Sequence, residues 1–191
     1  MDDLSLHILD IVENSIEAGA TLVEIRIEED REKNSLKITV KDNGRGIDEE
    51  VLPRLNDPFF TTKAKKTGLG ISLLCQSAQE AGGSVEIDSL PGKGTEMVAT
   101  FQLNHIDLKP MGDLAATLVT LIGGHPEVDF IFEYKKNNRV YLLDTREVKR
   151  ELEDVPINYP GVVKLLKGII KEGIDEVKKG GKQDEREGSC N

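Results

Sequence analysis

A glycine-rich turn carries a carboxylate at a place where it could bind a ligand. Residues 41–47 read KDNGRGI and follow the alternating, strand-like run SLKITV. Gly44 and Gly46 would let the backbone turn sharply and let a flat ligand approach the main chain closely. The carboxylate of Asp42, fixed at a strand end, could accept a hydrogen bond from an exocyclic amine. A plain hairpin turn uses the same residue types, so this stretch alone decides nothing.

A second candidate is a polar stripe on the predicted first helix. Asp10, Asn14 and Glu17 lie four and three residues apart, which places them on one face of a helix between apolar flanks. An amide oxygen there could coordinate Mg²⁺, and the carboxylate one turn earlier could hold a water. A solvated helix face would show the same stripe.

A third candidate is TGLGIS at residues 67–72, where a pair of glycines opens a helix. Free amides and the helix dipole at such a start form a phosphate site. The preceding TTKAKK adds hydroxyl and basic groups, including Lys63. The alternative is an ordinary helix cap after a solvated run of charges.

Thr95 is the fourth candidate, at the entry of a predicted strand in GKGTEMVATF. Its hydroxyl could reach a bound base through a water. Threonine also favours strands for reasons unrelated to ligands.

The elements that must position these residues follow from periodicity and turn signals. In the first half their order is a helix, two strands, a short helix, a second long helix and two more strands. This order predicts helices layered on one antiparallel-rich sheet. The predicted helices are 4–18, 48–54 and 69–81, and the predicted strands are 21–29, 35–40, 84–89 and 95–103.

The second half has its own pattern and no chemical motif. It predicts an apolar helix at 111–124, a hairpin at 130–144 turning at Asn137 and Asn138, and two amphipathic helices. The hairpin could extend the main sheet or belong to a small α+β module. We therefore predict a domain at 1–105, a small α+β domain at 106–179 and a disordered tail at 180–191.

Composition limits the class of protein. The first 105 residues hold 19 acidic and 11 basic side chains, which argues against nucleic acid as the main partner. No apolar run approaches a membrane span, and the acidic N-terminus does not resemble a signal peptide. Two distant cysteines and three scattered histidines favour a reduced cytoplasmic protein without a disulfide framework or a metal cluster.

Taken together and in this order, the four motifs strongly resemble the ATP-binding domain of the superfamily that contains gyrase, the large heat-shock chaperone, histidine kinases and mismatch-repair ATPases (GHKL). The resemblance covers about residues 1–105. It implies a Bergerat-type two-layer α/β sandwich, with helices on one face of a mixed, mostly antiparallel sheet and a small α+β extension. PFFTTK, TGLGIS and PGKGTEMVATFQL look like a histidine kinase, whereas VENSIEAGA looks like a mismatch-repair ATPase. The kinase branch fits better.

The resemblance also implies ATP and Mg²⁺ as ligands and a role for each motif. Asn14 would bind Mg²⁺, Asp42 would accept the adenine amine, and Thr95 would assist adenine recognition. Phe60 would anchor a lid over the site. The implied nucleotide-binding residues are Asn14, Asp42, Gly44, Gly46, Ile47, Phe60, Lys63, Thr67, Gly68, Leu69, Gly70 and Thr95.

The sequence departs from the family in two places. The position four residues before Asn14, commonly Glu, is Asp10, which is one methylene shorter, so any hydrolysis should be slow. Glu13 is an alternative base, although it points about 100° away around the helix. A phosphoacceptor domain ahead of the first helix is expected to be missing, and His7 is expected to be a packed residue.

These observations predict a histidine-kinase-like protein that binds Mg·ATP and acts on a partner in trans, as a protein kinase or slow ATPase. The alternative is a nucleotide-gated regulatory binding protein of the anti-sigma type, without significant catalysis. An ATP-dependent clamp ranks third. The expected partners are ATP or ADP and an unidentified protein bound through 106–179. We expect no nucleic acid or membrane partner, and a monomer or homodimer.

Overall fold

The computed structural model describes residues 3–48 and 69–179. The predicted helix at 48–54, apart from its first residue, and the tail at 180–191 lie outside the described residues. The helices are α1 (Leu4–Glu17), α2 (Leu69–Glu80), α3 (Leu114–Gly124), α4 (Thr145–Leu152) and α5 (Pro160–Lys179). The strands are β1 (Leu22–Asp30), β2 (Ser35–Asp42), β3 (Ser84–Leu90), β4 (Gly94–Gln102), β5 (Asp129–Lys136) and β6 (Arg139–Asp144).

One six-stranded sheet runs through the described part of the chain in the order β3-β4-β2-β1-β5-β6. Its only parallel pair is β1 with β5, and the other neighbours are antiparallel. Helices α2, α1, α3 and α5 pack side by side on one face, in the same order as the strands beneath them. The predicted fold class, helices on one face of a mixed and mostly antiparallel sheet, is confirmed.

Alternation in the central strands explains which face of the sheet these four helices cover. Val23, Ile25 and Ile27 of β1 are completely buried under the helices. The charged side chains between them, Glu24 and Arg26, point to the other face and form an ion pair there. Because a strand has a period of two, this pattern fixes which face of the sheet the helices cover.

The C-terminal hairpin continues the sheet of the first half. Strand β5 lies parallel to β1 along its whole length, with Val23 opposite Phe130 and Ile25 opposite Phe132. Of the two alternatives for this hairpin, extension of the main sheet is therefore the one found. The division of the chain at 105/106 stays a prediction about folding units.

A buried polar cluster ties the two halves together at the far end of β1. The Tyr134 hydroxyl donates a hydrogen bond to Glu29 Oε1, and Lys136 Nζ lies 3.4 Å from Glu29 Oε2. Tyr134 is fully buried, and the Lys136 and Glu29 side chains are only 10% and 14% exposed. Burial and the neighbouring Glu29 raise the pKa of Tyr134 far above its ordinary value, so the hydroxyl stays a donor.

We expect Tyr134→Phe to lower the free energy of unfolding by about 1–3 kcal/mol, because a buried carboxylate loses a hydrogen-bond donor. Urea unfolding would measure this, with Tyr159→Phe as the control because Tyr159 is 59% exposed. Both halves should unfold in one transition, since they share one sheet. Two separate transitions, or equal stability of the two variants, would contradict this reading.

The second half also holds the start of α1. The first two amides of that helix, Leu4 and Ser5, donate to the carbonyls of Pro110 and Met111, both at 2.9 Å. Asp3 caps the next amide through its side chain. The helix N-terminus, whose amides have no partners within the helix, is thus satisfied largely by the segment after β4.

Candidate functional site

The sequence-predicted residues of the first half meet where α1, α2 and the ends of β2 and β4 come together. Asp42 is the last residue of β2, and Thr95 is the second residue of β4. Asn14 and Asp10 come from α1, and Gly70 comes from the first described turn of α2. The described candidates therefore converge on one site, although they are up to 85 residues apart in sequence.

Asp42 is buried and held as a hydrogen-bond acceptor by three donors. The Ser15 hydroxyl donates to its Oδ2 at 2.7 Å. The amides of Gly44 and Thr95 donate to its Oδ1 at 2.8 and 3.3 Å. A carboxylate offers about four lone pairs. Donors within residues 3–48 and 69–179 use three of them, which leaves one on Oδ2 for a donor on a ligand.

Ser89 fixes the orientation of the Thr95 hydroxyl. Its Oγ accepts from the Ile47 amide at 2.9 Å, donates to the Gly94 carbonyl at 3.0 Å and lies 2.8 Å from Thr95 Oγ1. With the Ser89 hydrogen on the carbonyl, Thr95 must be the donor in their mutual bond. The lone pairs of the Thr95 hydroxyl are then available to accept from a water or a ligand.

At two positions of the site only glycine fits, because another segment of the backbone lies too close for a side chain. Gly46 has a φ of +71°, and any side chain there would overlap the Leu90 carbonyl. Gly94 has a φ of +94°, and a side chain there would overlap the carbonyl of Asp42. Gly44 has no such φ, but a Cβ would come within 3.0 Å of Asp42 Oδ1. The glycine turn is therefore packed against the β3–β4 connection and is not a free loop.

Asn43 anchors the same turn from the other side. Its Oδ1 accepts from the amides of Thr21 and Leu22 at 2.8 and 3.0 Å. The Arg45 amide donates to the Ala18 carbonyl at 2.9 Å. The carboxylate of Asp42 is thus carried on backbone that is fixed to α1 and β1.

The second centre of the site joins α1 to the start of α2. Asn14 Nδ2 lies 3.5 Å from Asp10 Oδ2, and a side chain at Gly70 would overlap that same oxygen. The Asp10 carboxylate therefore occupies the space beside the first turn of α2 that only a glycine leaves open. Carboxylate and amide oxygens side by side are the ligand types that Mg²⁺ accepts.

Glu13, the alternative base, is held away from this centre. Its Oε1 lies 3.1 Å from Nε2 of His125, at the end of α3. Glu13 is on a different face of α1 from Asp10 and Asn14, as the helical spacing predicted. The other ring nitrogen of His125, Nδ1, lies 3.8 Å from Oε1 of Glu127, so the histidine stands between two carboxylates.

His7 is buried beneath the site. It is 1% exposed, and neither ring nitrogen has a hydrogen-bond partner among the described residues. It lines a small apolar cavity with Val40 and Met97, which lie two residues from Asp42 and Thr95 on the same face of the sheet. Burial, and then the positive charge of Lys109, lower the pKa of His7 to about 4. As expected from the sequence, it is a packed residue.

Because its folded pKa lies below the ordinary 6.5, His7 should make stability depend on pH. The stabilising effect of the neutral ring is complete above pH 6.5 and is lost as the pH falls toward about 4. We expect the loss to reach at most about 3 kcal/mol. Urea unfolding at several pH values would show a flatter profile for His7→Leu than for the wild type. An Ile106→Ala control, which changes a 93% exposed residue and removes no titratable group, should keep the wild-type slope. Identical slopes for all three chains would contradict the prediction.

Several predicted residues cannot be compared with the structure. Phe60, Lys63, Thr67 and Gly68 lie outside the described residues, and for Leu69 only its place at the start of α2 is described. Within residues 3–48 and 69–179, no cluster of three or more His, Cys, Asp or Glu could hold a metal. Over the same residues, no helix is long and apolar enough to span a membrane.

Two residues of the site were missed by the sequence analysis. Ser15 and Ser89 are each a small polar residue on an otherwise apolar face: Ser15 follows Ile11 by one turn, and Ser89 continues the alternation of Val85 and Ile87. A buried hydroxyl at an apolar position needs a polar partner. The presence of a serine at an apolar position of a helix or strand is therefore the sequence feature that could have identified both residues.

The first half of the chain resembles a known protein family and several histidine kinases. Residues 2–105 match the family described as histidine kinase-, DNA gyrase B- and HSP90-like ATPase. Sporulation kinase A of Bacillus subtilis (strain 168) is 41% identical over 96 residues, which are 49% of this chain and 15% of that protein. The signal transduction histidine-protein kinase AtoS of Escherichia coli (strain K12) is 37% identical over 107 residues, 56% of this chain and 17% of that protein. The chain thus spans a small part of the length of the relatives it matches.

A solved structure shares the fold. The crystal structure of the N-terminal domain of a DNA repair protein superposes with a TM-score of 0.56 at 16% identity, covering 75% of this chain and 53% of that one. At that identity the likeness shows the architecture alone. With the family match over residues 2–105, the chain belongs to the histidine kinase-, DNA gyrase B- and HSP90-like ATPases and carries a histidine-kinase-like ATP-binding domain.

Proposed function

We propose that this chain binds Mg·ATP at the junction of α1, α2, β2 and β4 and passes the γ-phosphoryl group to a protein partner or, slowly, to water. The observation that supports this proposal best is the hydrogen bonding of the Asp42 carboxylate. It is a buried carboxylate that three donors fix in place, and the part of the chain that the structure describes leaves one of its lone pairs for a ligand. The donor that this lone pair suits is the exocyclic amine of adenine.

The glycine turn supplies the rest of the adenine pocket. Gly44 and Gly46 keep side chains away from the base, and Ile47 offers an apolar wall. The Thr95 hydroxyl, which lies 2.8 Å from Ser89 Oγ, would offer its lone pairs to the base or to a water between them. Recognition by a few fixed polar groups in an otherwise apolar pocket is what distinguishes one base from another.

The phosphate end would use Asp10, Asn14 and Gly70. The amide at Gly70 lies in the first described turn of α2, where the helix dipole favours an anion. The Asp10 carboxylate beside it would repel a triphosphate, so a cation is needed between them. Mg²⁺ held by Asn14 would neutralise this charge and polarise the phosphoryl group.

In this proposal Asp10 would also take a proton from the attacking nucleophile. It lies next to Asn14, whereas Glu13 is held by His125. Because Asp is one methylene shorter than the family's usual Glu, we expect water to be activated poorly. Transfer to a nucleophile that a partner brings would leave ADP and a phosphorylated partner, and the segment 106–179 is our candidate for docking that partner.

The test is to incubate the purified chain with γ-labelled ATP and Mg²⁺ and to follow the label. We expect slow release of labelled phosphate, or label on an added partner, and loss of both in Asn14→Asp. Label that stays in intact ATP throughout, with and without partners, would contradict the enzymatic proposal.

The contacts between α1 and the second half favour a second candidate function. The start of α1 is bonded to residues 110–111, and Glu13 is bonded to His125, so a change in α1 on nucleotide binding would reach the second half directly. The chain would then be a nucleotide-gated regulator whose partner affinity depends on ATP. Equal partner affinity with ATP, ADP and no nucleotide would exclude it, because a ligand without differential affinity shifts no equilibrium.

A further inference from the structure

A chain of hydrogen-bonded amide groups joins helix α4 to the glycine turn. It starts at the ammonium of Lys149, which donates to the Val128 carbonyl at 3.0 Å. The N–H of that same peptide group, on Asp129, donates to the Thr21 carbonyl at 2.9 Å. Lys149 Nζ also lies 2.7 Å from Oδ1 of Asp129, which holds the ammonium against this peptide group. The chain therefore begins with a positive charge fixed on a carbonyl oxygen.

The chain continues through the start of β1 to the side chain of Asn43. The Thr21 carbonyl and the Leu22 N–H belong to one peptide group, and that N–H donates to Asn43 Oδ1 at 3.0 Å. The side-chain amide of Asn43 is the next group, and its Nδ2 donates to the Thr21 hydroxyl at 2.9 Å. Each amide group thus accepts at its oxygen and donates at its nitrogen, so the bonds run in one direction from Lys149 to the glycine turn.

A chain of this kind is stronger than the same bonds taken separately. A positive charge on the first carbonyl polarises that amide group and makes its N–H a better donor, and the effect passes along the chain. Its last member, Asn43, stands between Asp42 and Gly44, whose amide donates to the Asp42 carboxylate at 2.8 Å. Bonds that fix the Asn43 side chain therefore also fix the backbone that carries Asp42.

We propose that Lys149 is a positioning residue for Asp42, although it lies on a helix of the second half. Its ammonium strengthens the bonds that hold Asn43, and these keep the Asp42 carboxylate where one lone pair can meet a ligand. The segment 106–179 then contributes to nucleotide affinity from outside the pocket, and a partner that drew the ammonium away would lower that affinity. The inference rests on the proposed function for its nucleotide readout and is independent of it for its structural one.

The structural test is hydrogen exchange of the full chain without nucleotide. Lys149→Met should lower the protection of the Leu22 and Gly44 amides about two- to tenfold, because weaker bonds let the turn open more often. The Leu103 amide donates to the Asn34 carbonyl at the opposite end of β2 and should keep its protection. Unchanged protection of the Gly44 amide in Lys149→Met would overturn the proposal.

Two further variants show whether the ammonium acts through the amide chain. Arg150→Met removes a cation that is one residue further along α4 and 75% exposed, so it should keep wild-type protection. Asp129→Asn removes the partner carboxylate but leaves Lys149 on the Val128 carbonyl, so it should keep most of the protection. A loss in either variant as large as in Lys149→Met would mean that net charge or the ion pair, and not the amide chain, holds the turn.

The functional test is the affinity for Mg·ATP, measured by titration calorimetry. Lys149→Met should bind about two- to tenfold more weakly than the wild type. Asn43→Ala should also bind more weakly, and adding Lys149→Met to it should cause no further loss, because the end of the chain is already gone. Additive losses would overturn the proposal. A wild-type chain that binds no Mg·ATP would contradict the proposed function, and the exchange results would still decide the role of Lys149.

Discussion

Replacing Asp42 by Asn is expected to weaken Mg·ATP binding about ten- to a hundredfold and to leave the chain folded. The Ser15 hydroxyl can turn to accept from the new amide group, while the amide oxygen still accepts from Gly44 and Thr95, so the protein itself loses little. The adenine amine, however, would face another donor instead of the free lone pair. An unmet donor in a buried site costs about 1–3 kcal/mol, which corresponds to a loss on the order of ten- to a hundredfold in affinity.

Titration calorimetry with Mg·ATP would measure this change. Asp48→Asn is the matched control, because Asp48 is an exposed carboxylate six residues further along the same stretch. It should bind ATP as the wild type does. Wild-type affinity in Asp42→Asn would mean that this turn does not hold the adenine.

Gly70→Ala is expected to reduce phosphate release or transfer about a hundredfold while leaving α2 intact. Alanine is a better helix former than glycine, so the helix itself should not suffer. The new methyl group would overlap the Asp10 carboxylate, which can rotate away because it ends a flexible side chain. A displacement of about 1 Å at a catalytic group can cost on the order of a hundredfold in rate.

A double-variant comparison separates this explanation from a general loss of structure. Asp10→Ala should lose the same activity, and adding Gly70→Ala to it should cause little further loss, since the carboxylate is already gone. Gly168→Ala on α5 is the control, because nothing lies near that position and the change should only stabilise the helix. Independent, additive losses from the two changes would show that Gly70 does not act through Asp10.

Much of this site was predictable because its residues are of unusual type for their local setting. Asp42 ends an apolar strand, Gly44 and Gly46 follow it within four residues, and Asn14 interrupts an apolar helix. None of these residue types is favoured by a regular strand or helix. Periodicity also predicted the helices and strands to within one or two residues at most ends, including β5 and β6 around the turn at Asn137 and Asn138.

What the local pattern could not predict was long-range pairing. Nothing in the sequence of β5 says that it lies beside β1, since a parallel neighbour is chosen by the packing of the intervening helices. For the same reason the sequence could not predict the hydrogen bond between Glu13 and His125, which are 112 residues apart. Ser15 and Ser89 were passed over because a single serine carries little signal until its buried partner is known.

The central claim is that adenine and phosphates occupy the junction of α1, α2, β2 and β4, and a crystal structure with Mg²⁺ and a non-hydrolysable ATP analogue tests it most directly. We predict the adenine amine within hydrogen-bonding distance of Asp42, Mg²⁺ on the Asn14 side-chain oxygen and phosphate oxygens at the Gly70 amide. A nucleotide bound elsewhere on the chain, or crystals that take up none at saturating concentration, would contradict the account.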